Sequence, residues 1–369
     1  GMVMLDMKTP IRFFMGSNTS FGFFGFIDDF YDCDSGWRVY LLKGGPGMGK
    51  TMLLKRLFDF MSGQGQEIQV VICPADPDSI DGLVFPEIKA CALDANAPHV
   101  IEPKCWGAVE QIVNLSACIE AAEIQHKAPE ILEAESKCQA LELRCRKFLG
   151  AAASLLNDSR KIAFECTDIS KIQRSAARIA AREFGTYSNL KGNETRRFLS
   201  AVTPEGNVIF YDTLQALCPR IYSIEDEYGA ASRLLINELK VRAMDAGYDV
   251  ITCYCPIFPS DKPDHLLIPS IGIGFTTSNS WHKADFPVFR RIHSARFTDM
   301  ERLRQRRQIM SFNRRAAREL INEASLILGE IRDVRREMAS IYQSNMNYES
   351  FDSICEWITR EFEDILETC

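Results

Sequence analysis

"VYLLKGGPGMGKTML", residues 39–53, is the stretch on which the fold turns. Residues 44–51 within it match the spacing G-x-x-x-x-G-K-[ST] of a loop that cradles phosphate. "WRVYLL" just before it is a short apolar, β-prone run and reads as a buried strand. "MLLKRLFDFM" just after it carries apolar residues at helical spacing with no breaker. Gly44, Gly47 and Gly49 let the backbone curl so that successive N–H groups point at phosphate oxygens. The helix start adds unpaired amides and the positive end of its dipole. The expected nucleotide contacts are therefore Gly44, Gly45, Pro46, Gly47, Met48, Gly49, Lys50, Thr51 and Met52. Lys50 is expected to reach the β- and γ-phosphates, and the Thr51 hydroxyl to coordinate Mg2+. A glycine-rich turn that merely precedes a helix would not need the Lys-Thr pair.

This chemistry also needs an acid at the end of a second buried strand, holding the Mg2+ shell. Ile88 to Leu93 is a short apolar run, and Asp94 follows it directly. "VVICPADPDSID" places Asp76 and Asp78 just past the strand after the loop's helix. That is the carboxyl edge where such sheets bind ligands, so either carboxylate could orient a water or bind a substrate. A solvated Asp-Pro-Asp turn explains them equally. Glu102 is a more distant candidate base, since no glutamate follows Asp94 directly. No N-K-x-D segment occurs, which favours ATP over GTP.

The bulk numbers narrow the class. A chain of 369 residues has room for two or three domains. Its 46% apolar and 25% charged residues are those of a soluble globular protein. A net charge of −7 argues against a general nucleic-acid binder. There is no apolar run long enough to span a membrane and no leader pattern, so a cytoplasmic location is expected. The 13 cysteines are odd in number, and Cys91, Cys166 and Cys253 lie in apolar runs. Free buried thiols are the simpler reading. Cys253-x-Cys255 has the wrong spacing for a zinc knuckle.

A second copy lies downstream. "IYSIEDEYGAASRLL", residues 221–235, falls under the loop when Tyr40 is set on Tyr222, a shift of 182 (222 − 40). Gly47 then meets Gly229, Leu53 meets Leu235, and Cys73-Pro74 meets Cys255-Pro256. After a one-residue insertion Pro86 meets Pro269, Asn96 meets Asn279 and His99 meets His282. About a dozen identities over roughly sixty positions mark an internal repeat. The expected architecture is α/β: two tandem P-loop NTPase-like units, each a mostly parallel sheet flanked by helices and followed by a helical hairpin. The units are residues 2–188, with the hairpin near 126–184, and residues 189–369, with the hairpin near 299–366. The linker is expected in the polar segment 185–195.

The copies act as a mutant comparison. Lys50 becomes Ser232, Thr51 becomes Arg233, and Gly44-Gly45 become Asp226-Glu227. Asp94 becomes Thr277. The phosphate lysine, metal hydroxyl and metal-shell acid are lost together, which supports Asp94 in that role. Asp76 and Asp78 become Phe258 and Ser260, while Asp81 is kept as Asp264. His99 and Asn96 persist where the loop has decayed, so they read as structural.

The segments "NTSFGFF", "VYLLKGGPGMGKTMLLKRL", "DSIDGLVFPEIK", "LDANAPHVIEP" and "GAVEQIVNL" resemble an uncharacterised bacterial family of tandem-repeat P-loop proteins. The resemblance covers nearly the whole chain and implies an ATPase or nucleotide kinase. Family members can look loop-competent in both halves, and this chain departs from them in its second. A weaker likeness is to RecA- and KaiC-type ATPases.

Three functions follow as expectations. The first is Mg2+-dependent ATP hydrolysis at one site in the first repeat, with Lys50, Asp94, Asp76 and Asp78 as catalytic candidates. The second is a small-molecule or nucleotide kinase. The third is an ATP-sensing protein that turns over little and engages a protein partner. Ten arginines crowd residues 290–318: Arg290, Arg291, Arg296, Arg302, Arg304, Arg306, Arg307, Arg314, Arg315 and Arg318. They suit a solvated helix face, a nucleic-acid or acidic-partner surface, or an arginine directed at the intact loop from the degenerate copy.

Overall fold

The structure, a computed structural model, describes residues 11–185 and 188–369. Residues 1–10, and Thr186 and Tyr187 of the expected linker, lie outside the described residues.

The first unit runs β1 (Ile11–Phe14), the hairpin β2 (Ser17–Thr19) and β3 (Gly22–Phe24), β4 (Arg38–Lys43), α1 (Lys50–Ser62), β5 (Gln69–Ile72), β6 (Ile80–Phe85), β7 (Ala90–Asp94) and β8 (Glu110–Asn114). The short helix α2 (Ala121–His126) and two longer ones, α3 (Ala128–Glu165) and α4 (Ile169–Glu183), complete it. The second unit repeats this order as β9 (Glu194–Arg197), β10 (Ser200–Thr203), β11 (Gly206–Ile209), an added helix α5 (Tyr211–Leu217), β12 (Arg220–Glu225), α6 (Ala230–Asp245), β13 (Val250–Tyr254), β14 (Pro263–Ile268), β15 (Ile273–Ser278) and β16 (Arg290–His293). It ends in α7 (Met300–Arg304), α8 (Arg307–Gln343) and α9 (Tyr348–Thr368).

Each unit holds a six-stranded sheet, ordered β1-β5-β6-β7-β4-β8 and β9-β13-β14-β15-β12-β16. The two orders are the same once the repeat is applied. The sheets are mixed. β6 runs antiparallel to both β5 and β7, and β14 to both β13 and β15. The remaining pairings, such as β4 with β7 and β8, are parallel. The antiparallel strand follows from local chemistry. The turn "PADPDS" between β5 and β6 returns the chain directly, with Ser79 N–H donating to the Asp76 carbonyl, and so no crossover helix is needed.

Alternation explains why β4 and β7 lie at the centre. Tyr40, Leu42, Ala90 and Ala92 face the helices, while Val39, Leu41, Cys91 and Leu93 face a second cluster with Phe30 and Ile101. Both faces are covered, so the strands are apolar almost throughout.

The long helices do not form the expected hairpins. α3 and α4 do not pack along one another, and neither do α8 and α9. Instead α3 lies antiparallel along α8, with Cys145, Leu149 and Ala152 against Ala317, Ile321, Ala324 and Leu328. The Glu142–Arg335 ion pair and the Asn313 amide bond to Asp158 mark the two ends of this contact. Helix α4 buries Ile172, Ala176 and Ile179 against α6 of the second unit. Helix α9 buries Phe351, Ile358 and Phe362 against the first. The two units therefore exchange their last helices. The corners are tied by reciprocal bridges, Ile119 to Met346 and Thr167 to Thr298. No helix among the described residues is long and apolar enough to cross a membrane.

Candidate functional site

The intact loop leaves the carboxyl end of β4, between β7 and β8. It spans Gly44–Gly49, and α1 starts at Lys50 with Gly49 as its left-handed cap, φ 90°. The amides of Lys50, Thr51 and Met52 begin the helix and have no carbonyl one turn back to bond. Gly47 is also left-handed, φ 74°. A side chain at 47 would overlap the Ala339 carbonyl of α8, and one at 49 would overlap the Phe351 ring of α9. These two glycines thus answer to packing as well as to any ligand.

The loop is pinned from inside. Gly44 N–H donates to Asn96 Oδ1 (3.0 Å), and Lys50 Nζ donates to the Gly44 carbonyl (2.8 Å). Lys50 Nζ also lies 3.3 Å from Asp94 Oδ2, with both side chains mostly buried. Asp94 ends β7 in register with Leu42 of β4, which brings it beside the loop's root. Its Oδ1 accepts from the Asn96 side chain (2.7 Å) and main chain (3.0 Å). The Thr51 hydroxyl makes one long bond, 3.4 Å, to the Ile80 carbonyl. Met48 is buried and folds its sulfur back onto the Gly45 N–H (2.9 Å). Pro46 is half-buried and Met52 is exposed.

Asp76 and Asp78 lie in the β5–β6 turn and meet the second unit. Arg336 of α8 holds Asp76 in a fork, Nε to Oδ2 at 3.0 Å and Nη2 to Oδ1 at 2.9 Å, and reaches Asp78 at 3.4 Å. The arginine brought to the first unit's turn is thus one outside the dense run. Within that run Arg291 pairs with Glu225, Arg314 with Glu227, and Arg318 stacks over Trp281, all in the second unit. Glu102 is exposed and pairs with Lys43 at 2.9 Å.

Behind Asp94 lies a buried group: Asp81, Asp94 and His99 offer ligand atoms within 4.8 Å of one another. His99 Nδ1 is 2.9 Å from the Asp94 main-chain carbonyl, and Nε2 is 3.5 Å from Asp81 Oδ2. Burial favours the neutral ring, but Asp81 and Asp94 outweigh it and the His99 pKa is raised.

In the second unit β12 ends at Glu225 and α6 starts at Ala230. Four residues, 226–229, therefore replace the six of 44–49. The helix has absorbed the difference, and Ser232, which aligns with Lys50, is the third residue of α6 and buried. Asp226 Oδ2 accepts the Ser232 N–H (2.8 Å), so a carboxylate caps the helix end that an anion would occupy. Lys262 lies over Gly229 and pairs with the buried Asp264. Burial alone would raise the Asp264 pKa, but Lys262 and His282 drive it far below the usual carboxylate range. The second unit thus supplies both an anion and a cation from its own side chains. A cavity of about 80 Å3 adjoins them, bounded by Tyr228, Phe258 and Trp281.

Sequence reasoning missed Lys262 and Arg336. Lys262 falls next to the one-residue insertion in the repeat, and Arg336 is one basic residue among many on α8. No protein-family model matches the chain, no curated protein matches it, and no solved structure matches it.

Proposed function

We propose that the chain is an ATP-binding P-loop NTPase with one working site, at the loop 44–51 of the first unit. The observation that carries this reading is the Lys50–Asp94 pair at the mouth of the glycine loop, 3.3 Å apart. Its counterpart is lost at both positions in the other unit, as Ser232 and Thr277. In this reading the two units are P-loop-type, and the second is a scaffold that does not bind nucleotide.

Phosphate would replace Asp94 as the partner of the Lys50 ammonium. The first-turn amides of α1 and the loop amides would hold its oxygens. Thr51 and Asp94 fit a hard cation: the Thr51 hydroxyl has one long bond to give up, and Asp94 Oδ2 faces a charge that can move. They would hold Mg2+, which supplies neutralisation of the phosphate charge when bound. Asp76, fixed by Arg336, stands at the same sheet edge and is the candidate to orient water.

The contacts of Ala339 with Gly47 and Phe351 with Gly49 favour a second reading. A loop touched directly by α8 and α9 would transmit its ligand state to those helices, as an ATP sensor with little turnover requires. Calorimetric titration of the full chain with Mg-ATP, paired with phosphate-release kinetics, tests both. One ATP per chain with steady release supports the hydrolase. One ATP without release supports the sensor, and no binding removes both.

A further inference from the structure

We propose that the first unit carries a divalent transition-metal site behind the nucleotide loop, built from Asp81 and His99 with Asp94 as the carboxylate it shares with the proposed Mg2+ position. Asp81 is 4% exposed, and its Oδ2 has no hydrogen-bond partner among the described residues. A buried carboxylate oxygen without a hydrogen-bond donor is unfavourable unless a cation accompanies it. His99 faces it with Nε2, while Nδ1 lies on the Asp94 carbonyl at 2.9 Å. That outer hydrogen bond holds a ring proton at Nδ1, so a metal would take Nε2 in place of the second proton that Asp81 and Asp94 favour there. Nε2 and Asp81 Oδ2, 3.5 Å apart, face one another across a gap that suits ligands of one ion.

The repeat supplies independent support. Asp81 and His99 recur as Asp264 and His282, with the same Nε2-to-Oδ2 approach, 3.6 Å. There the cation is built in. Lys262 pairs with Asp264, and its main chain identifies its counterpart: Cys255 N–H donates to the Lys262 carbonyl as Cys73 N–H donates to that of Ser79. The second unit therefore places an ammonium beside its Asp–His pair, and the first unit has Ser79 at that position and an added carboxylate, Asp94, where the second has Thr277. The Asp94 charge is met by Lys50 at 3.3 Å, but no ammonium among the described residues takes the place of Lys262 beside Asp81, and this points to an external cation. One imidazole nitrogen with carboxylate oxygens selects the Zn2+ and Mn2+ class over Mg2+, which prefers all-oxygen shells. This inference does not need nucleotide binding to hold.

The test uses full-length, chelator-treated protein without nucleotide. Mn2+ is the probe, followed by electron paramagnetic resonance of the free ion, because the 13 thiols compete poorly for it. One Mn2+ per chain is expected, displaced by Zn2+ and bound more tightly as pH rises, since a proton competes for Nε2. His99→Gln should weaken binding on the order of tenfold to a hundredfold. Ser79→Lys recreates the second unit's internal cation and should abolish binding while keeping the fold. Thr51→Ala, which removes the hydroxyl assigned to Mg2+, should leave Mn2+ bound. Equal Mn2+ affinity in wild type and Ser79→Lys, loss of binding in Thr51→Ala alone, or no bound Mn2+ in the wild type would each overturn the site.

Discussion

Single residues show which charges the fold tolerates and why. Lys50 is held by the Gly44 carbonyl and by Asp94, both of which a phosphate would displace. Lys50→Ala should therefore abolish ATP binding in a calorimetric titration. It also leaves Asp94 with only its Asn96 donors, so a stability loss of about 1–3 kcal/mol should accompany it. Unchanged nucleotide affinity would remove the loop from the site. His265 gives an acid response that can be tested. Complete burial pushes its pKa down to about 3, despite the opposing pull of Asp264 beside it. Lys262 and His282 face it from the same cluster and depress it further. A histidine so depressed stabilises the fold at neutral pH and loses that contribution as pH falls from about 6.5, its unfolded value. By pH 4.5 the loss should reach about 3 kcal/mol, seen as a lower urea midpoint. His265→Gln should flatten this slope, and an unaltered slope would place the acid response elsewhere.

At the scale of elements, the strand–loop–helix unit was legible and the rest only in outline. Apolar runs and glycine spacing locate β4 and α1 to within a residue or two, because both faces of the strand are buried and the helix has no breaker. The shortened second loop was not legible. A gapless alignment puts Ser232 under Lys50 and hides that α6 starts at Ala230. Only the Asp226 cap on Ser232 reveals how the helix grew. Asp94 was legible from its strand end, but its grip by Asn96 was not, since an asparagine after a strand reads as a turn. Helix α8 was legible as an amphipathic stretch, yet nothing in its pattern singled out Arg336. That side chain is half exposed, so its fork on Asp76 contributes little to stability. Arg336→Ala should leave the unfolding midpoint nearly unchanged and ATP affinity within about twofold. Turnover should fall, on the order of tenfold, if Asp76 must be held to orient water. Equal turnover in the variant would make the fork a surface contact and return Asp76 to a turn residue.

At the scale of the molecule, the repeat boundary in sequence and the boundaries of packing do not coincide. An amphipathic stripe tells that a helix is buried but not against which neighbour, and this is why the exchange of α4 and α9 stayed hidden. Its consequence is energetic. Phe362 lies near the end of the chain, and its ring is fully buried against Tyr40 and Phe85, centroids 5.3 Å away in each case. Both partners belong to the first unit's sheet, some three hundred residues earlier in the chain. Phe362→Ala removes a ring from a close-packed interior, at a cost of about 3–5 kcal/mol. If the units were separable, that cost would fall on the second alone, and unfolding would split into two steps. With each sheet covered by the other unit's last helix, both should unfold together in one transition at a lower midpoint. Hydrogen exchange gives the decisive readout. Amides of β4 and β7 should lose protection in Phe362→Ala along with those of α6, since opening either sheet releases the helix that covers the other. Full protection retained in β4 and β7 would show that α9 is an accessory cover rather than part of the first unit's core.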